Sequence, residues 1–295
     1  MADDATSAPQ AARRPRRRVG SLWLMRGGLI VTVAMLAIAV FAPVLTTASP
    51  IAQNLMAARQ PPAWEAGGSA GHPLGTDYLG RDVWSRIAYG ARTTLLTSTA
   101  AALGAAALGV LLGFIAGYYE GRIGSVIMAL VDLMLAFPLI VLALALVATL
   151  GPSMQNVMLA LIVTGWMVYA RVVRAVVLRL KEQPFVHAAR ALGASDAAII
   201  ARHLFPNALT VILVLLPIEI ARMIITEASL SFLGLGVPPP TPSWGRMLAE
   251  NRLYLTIDYW VAVFPGLAIT IAVLGVTFLG DGLRDRLDPR LRHLL

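Results

Sequence analysis

Residues 125 to 150 read SVIMALVDLMLAFPLIVLALALVATL, and after Gly151, Pro152 and Ser153 a second apolar run continues from Met154 to Val173. Each run is close to the ~20 residues that carry a helix across hydrocarbon, and the three residues between them favour a turn, so the pair reads as an antiparallel hairpin inside a membrane. Lipid offers no partner to backbone N–H and C=O groups, and a spanning segment must satisfy its own by coiling into a helix. Working outward from the hairpin, four more runs share its character: Gly27 to Ala48, Thr93 to Tyr119, Leu209 to Leu233 and Tyr259 to Gly280. The chain as a whole is 58% hydrophobic and only 14% charged, against ~25% charged in soluble domains. The fold class is therefore an all-α membrane protein with six transmembrane helices.

Orientation follows from the basic residues, because short loops rich in Arg and Lys stay in the cytoplasm. Arg13, Arg14, Arg16, Arg17, Arg18 and Arg26 precede the first run. Arg171, Arg174, Arg179, Lys181, Arg190 and Arg202 occupy the stretch between the fourth and fifth, and Arg284, Arg286, Arg290 and Arg292 follow the sixth. Six crossings put these three segments on one side, so both termini are expected in the cytoplasm. The net charge of +8 sits in these clusters between apolar runs, which encodes orientation and argues against nucleic acid as a partner. The first run stays free of charge as far as Ala58, well beyond the ~7–15 residues of a secretory signal core, and reads as a retained helix. With no cysteine in the chain, thiolate catalysis, disulfides and Cys-based metal sites are excluded.

The cytoplasmic stretch from Gln183 to Pro206 carries the most chemistry. Pro184 suits a first helical position, and Phe185, Ala188, Ala189 and Leu192 recur at helical spacing. Gly193 supplies a left-handed residue to end that helix, and Ser195 caps a second whose apolar residues include Ile199, Ile200 and Leu204. Pro206 marks the start of the fifth span. The predicted product is a bent pair of short helices with small side chains at the bend, a shape that admits a partner's backbone closely.

Ala188-Ala189, the spaced Gly193 and Phe205-Pro206 resemble the EAA loop of ABC importer permeases, with His187 where that family usually has Glu and Phe205 where it has Leu. Three further stretches narrow the resemblance to C-type permeases of the dipeptide, oligopeptide and nickel group. These are His72 to Arg86 with Gly90 to Leu95, then Glu227 to Pro238 with Pro242 to Gly245, and finally Asp281 to Arg290. The resemblance implies a type I (MetI-like) permease core at 93–280 with an ATPase-coupling loop at 174–206, a cytoplasmic tail at 1–26, a first helix at 27–48, an outer loop at 49–92 and a cytoplasmic end at 281–295. It further implies a bacterial inner membrane, a homologous second permease subunit, two ABC ATPase subunits that bind the ATP and Mg, and an extracytoplasmic peptide-binding protein. Within the coupling loop it points to His187, Ala188, Ala189, Gly193, Ala194, Ser195, Asp196, His203 and Pro206. Asp77, Arg81, Asp82 and Trp244 are the candidates for contact with the binding protein, Trp244 being by default an interfacial anchor, as Trp64 and Trp84 are.

A phosphate-binding loop needs Gly-Lys-Ser/Thr, but the single lysine, Lys181, follows Leu180, so energy must come from another subunit or from an ion gradient. Charges inside spans are costly and are functional candidates: Asp132, Glu219, Arg222 and Glu227. Glu219 and Arg222 lie three apart on one helical face and can neutralise each other, or they can line the translocation path. Asp132 suits an interhelical contact or a step in a proton relay. A proton-driven carrier using Asp132, Glu219 and Glu227 is the alternative function, although no internal repeat of the kind such carriers often show is visible. Pro138, Pro217 and Pro265 fall within spans and are expected to bend them. His72, His187, His203 and His293 share no metal-ligand spacing.

Overall fold

The computed structural model describes residues 18–254 and 256–287. Arg13, Arg14, Arg16, Arg17, Arg290, Arg292 and His293, which include part of the orientation argument, lie outside them. Among the described residues, ten α-helices make up nearly all the regular structure: α1 (Arg18–Leu45), α2 (Val83–Tyr118), α3 (Gly121–Leu135), α4 (Leu139–Leu150), α5 (Met154–Lys181), α6 (Pro184–Ala191), α7 (Asp196–Ile199), α8 (Phe205–Phe232), α9 (Trp244–Glu250) and α10 (Trp260–Leu287). A π-helical stretch at Ile200–Leu204 runs α7 into α8. Among the described residues there is no strand, only an isolated bridge between Thr76 and Asp82.

Among the described residues, five helical segments are long and apolar enough to cross a membrane, and α3 with α4 makes a sixth crossing if the pair counts as one broken span. That third span differs from the continuous run expected between Ser125 and Leu150. Its two halves meet at 90°. Pro138 cannot donate a backbone hydrogen bond and disfavours helical geometry at Phe137, so α3 closes with Ala136 N–H on Asp132 C=O (3.0 Å) and α4 restarts after the proline. At 12 residues, α4 is ~18 Å long and cannot cross ~30 Å of hydrocarbon alone. Pro217 and Pro265, by contrast, sit buried inside the continuous helices α8 and α10.

Two other boundaries move. α5 does not close near Arg171 and Arg174 but continues to Lys181, because its inward residues Val173 and Val177 keep packing against α2. α2 begins at Val83, inside the segment read as an outer loop, where the Asp82 carboxylate accepts from Ser85 N–H at 2.7 Å and caps the helix.

The seam between α2 and α5 is built on small residues. Ala101, Ala105, Gly109, Gly113 and Gly117 recur every fourth position of α2, so they form one stripe along the helix. A Cβ on Gly113 would sit 2.8 Å from Ala170 O, and one on Gly117 2.8 Å from Val177 Cβ. The first helix is held in the same way: a Cβ on Gly275 of α10 would meet Val31 of α1 at 2.6 Å. Packing in lipid has no hydrophobic drive between helices, and close backbone approach supplies dispersion contact instead.

Candidate functional site

Beside the C-terminal end of α2, α6 and α7 form the bend. Ala194 N–H donates to Ala189 C=O (3.1 Å) and Gly193 N–H to Arg190 C=O (3.0 Å), which is the Schellman closure of α6, with Gly193 at φ +80°. Ser195 Oγ then accepts from Ala198 N–H at 3.3 Å to cap α7. Val186, Ile199 and Leu204 are buried beneath the bend in a cluster with Phe114, Tyr118, Val173 and Val177. Ala189 and Ala194 pack partly against it.

The opposite face of the bend is open. His187, Ala188, Gly193, Ser195, Asp196 and Pro206 are exposed, and beside them Leu192 is 88% exposed, Phe205 42% and Phe185 41%. His203 is half-buried, its ring 6.2 Å from that of Phe185. His187 lies 3.8 Å from Glu182. Two side chains tie the bend to the end of α2: the Tyr118 hydroxyl donates to Asp196, and Arg190 donates to Tyr118 Oη at 3.4 Å.

The intramembrane charges do not gather into one group. Asp132 on α3 pairs with Arg171 on α5, the interhelical contact expected of it, and both side chains are exposed on the surface of the chain. Glu219 is buried and pairs with Arg222 across one turn, with Arg222 Nε at 2.9 Å. Glu227 is fully buried, and its Oε1 accepts from Ser231 Oγ at 2.7 Å. None of the three acids hydrogen-bonds another among the described residues.

At the opposite, N-terminal end of α2, Asp77, Arg81, Asp82 and Trp244 are 0–5% exposed. They face inward, so the exposed surface at this end of the molecule is made by other residues. Asp77 Oδ2 accepts from Arg81 Nε (2.7 Å), Asp82 caps α2 and lies 3.0 Å from His72 Nδ1, and Trp244 Nε1 donates to Ile87 C=O (3.0 Å). Two residues missing from the sequence-derived set complete the arrangement. Arg86, fully buried, and Arg81 both reach Glu250 on α9, which ties the segment at 49–92 to the connection between α8 and α10. Burial works to raise the Glu250 carboxyl, but Arg86, Arg246 and Arg81 hold it below its ordinary value. Arg86 was hidden because an arginine near an apolar run reads as an interfacial charge.

A family model for the inner membrane component of binding-protein-dependent transport systems matches residues 109–293. The chain belongs to that family. A dipeptide transport system permease of Alkalihalophilus pseudofirmus is 43% identical over 265 residues, 90% of this chain and 85% of that protein. A glutathione transport system permease of Escherichia coli is 48% identical over 226 residues, 77% of this chain and 75% of that protein. Among solved structures, an inward-facing methionine ABC transporter aligns with a TM-score of 0.57 at 20% identity, covering 68% of this chain and 94% of that chain, which speaks for the fold alone.

The family membership makes this a multi-pass membrane permease subunit of an ATP-driven importer, a non-catalytic component that works with separate ATPase and permease subunits. The type I importer core expected from the coupling-loop resemblance stands with it. The proton-driven alternative finds no support in any of these relatives.

Proposed function

We propose that this permease forms half of a path for di- or oligopeptides across a bacterial inner membrane, paired with a homologous permease and driven by two ABC ATPases that grip the bend of α6 and α7. The observation that carries the reading is the open face of that bend. Leu192 at 88% exposure, with Phe185 and Phe205 nearby, sets apolar surface beside small residues, just where a close partner gains most from covering it. His187, Ala188, Ala189, Gly193, Ala194, Ser195, Asp196, His203 and Pro206 belong to the gripped segment.

Peptide as cargo is supported by the names of the relatives, which include dipeptide and glutathione permeases. An external binding protein delivers it to the outer loops, touching them outside the buried Asp77, Arg81, Asp82 and Trp244. Of the intramembrane charges, Asp132 and Arg222 reach the surface of the chain, Arg222 with 30% of its side chain exposed, and line the path, while Glu219 and Glu227 act from behind it.

Reconstitution with the neighbouring subunits tests this. Uptake of labelled dipeptide must vanish without the ATPases and survive collapse of the proton gradient; the reverse pattern sinks the reading. Orientation is tested with the same protein, since the chain has no cysteine and a single His187→Cys is its sole thiol. That thiol must react with an impermeant maleimide from the cytoplasmic side only.

A further inference from the structure

Both short helices of the bend are tied to one point on α2. Arg190, on α6, donates to Tyr118 Oη, and the same hydroxyl donates to Asp196, on α7. These two residues flank Gly193, so Tyr118 holds the bend from both sides of its left-handed residue. The Tyr118 ring is buried in the cluster under the bend, while its hydroxyl reaches out to the loop. The remaining anchors in that cluster, Val186, Ile199 and Leu204, are apolar. Apolar attraction is non-directional and lets surfaces slide, whereas a hydrogen bond to a charged group fixes direction and is stronger.

The other end of α2 is fixed just as firmly. Arg86, in its first turn, reaches Glu250 at 2.7 Å, and Ile87 C=O accepts from Trp244 at 3.0 Å. Between the two ends run 36 residues without a proline, a rod of ~54 Å. By comparison α3 and α4 are broken at Pro138, and α8 and α10 contain Pro217 and Pro265.

We infer that Tyr118 is the positioning residue through which movement of the cytoplasmic bend is delivered to α2, and by α2 to the clasp between the two outer loops. The inference rests on the reading of the bend as the ATPase contact. Its test uses the full complex in proteoliposomes, with both permeases, the ATPases and the binding protein. Dipeptide uptake per ATP hydrolysed is compared for wild type, Tyr118→Phe, Asp196→Ala and the double variant.

Phenylalanine keeps the ring in its cluster and removes only the hydroxyl, and with it both hydrogen bonds, so Tyr118→Phe should assemble while uptake per ATP falls about fivefold or more, as expected for the loss of two partly exposed hydrogen bonds. Asp196→Ala should lower the same ratio, and the double variant should lose no more than the worse single, since the one link that Asp196→Ala removes is already absent in Tyr118→Phe. A purely structural role would reduce assembly, and with it both rates together, leaving the ratio unchanged. An unchanged ratio in an assembled Tyr118→Phe complex, or losses that multiply in the double variant, overturns the inference. Should Tyr118→Phe fail to assemble, Asp196→Ala, which leaves the ring untouched, decides by the same ratio. If uptake by the wild-type complex is indifferent to the ATPases, the functional reading falls and this inference with it; if only the variants behave as wild type, the inference falls alone.

Discussion

Arg81 and Arg86 share one carboxylate oxygen: Nη2 of each lies 2.7 Å from Glu250 Oε2. Two buried cations therefore depend on a single acid 164 and 169 residues further along the chain, with Asp77 as their other partner. Glu250→Gln removes the charge and keeps the shape, leaving two buried cations to share Asp77, which is 2.7 Å from Arg81 Nε but 3.6 Å from Arg86 Nε. The expected loss is about 3 kcal/mol of stability, read as a lowered thermal transition in detergent. A variant as stable as wild type would mean that α9 and the segment at 49–92 are held together by something other than this clasp.

The same carboxylate sets a pH dependence. The Glu250 carboxyl titrates below its ordinary value in the folded protein, so the unfolded chain binds the proton more tightly. Its contribution is full above the unfolded value of roughly 4.5 and is lost as pH falls through the lower folded value. Thermal scans from neutral to acid pH should show the gap between wild type and Glu250→Gln constant above that point and closing below it. A gap that widens on acidification would contradict the sign.

At Gly193 the backbone is left-handed, yet a Cβ there would meet nothing within 4 Å. Conformation alone penalises a side chain, by roughly 1–2 kcal/mol for a residue that avoids this region. Gly193→Val should insert normally and lose ATP-driven uptake, whereas Gly193→Asn, which tolerates left-handed geometry, should stay close to wild type. Membrane abundance measured beside uptake separates the two effects. Normal uptake by the valine variant would show that the bend does not need this geometry.

Gly113 and Gly266 make a matched pair of helical glycines. A Cβ on Gly113 would press on Ala170 O at 2.8 Å and Val173 Cβ at 2.9 Å, while one on Gly266 would meet nothing. Gly266→Ala should be neutral or stabilising by roughly 0.5–1 kcal/mol, because it restricts the unfolded chain. Gly113→Leu must part α2 from α5 and should cost more than about 3 kcal/mol, visible as aggregation on size-exclusion chromatography. Equal behaviour of the two variants would rule out the small-residue seam as the reason these helices pack.

Sequence alone determined what depends on near neighbours in the chain. Apolar length marked the spans, Gly193 and Ser195 marked the bend with its left-handed residue and its cap, and the spacing of Glu219 and Arg222 placed them together on one turn. The small-residue stripe from Ala101 to Gly117 was equally open to reading, since its four-residue period lies within one helix. Tertiary structure decided the rest. Whether Pro138 breaks a span while Pro217 rides inside one, whether an arginine in the first turn of α2 is an interfacial charge or a buried clasp, and whether Trp244 faces outward or lies under α2 all depend on what packs alongside. The partners of Arg86, Trp244 and Asp196 lie 164, 157 and 78 residues away. Local periodicity carries no information about which helices become neighbours, and burial, which fixes the meaning of a charge, exists only once they do.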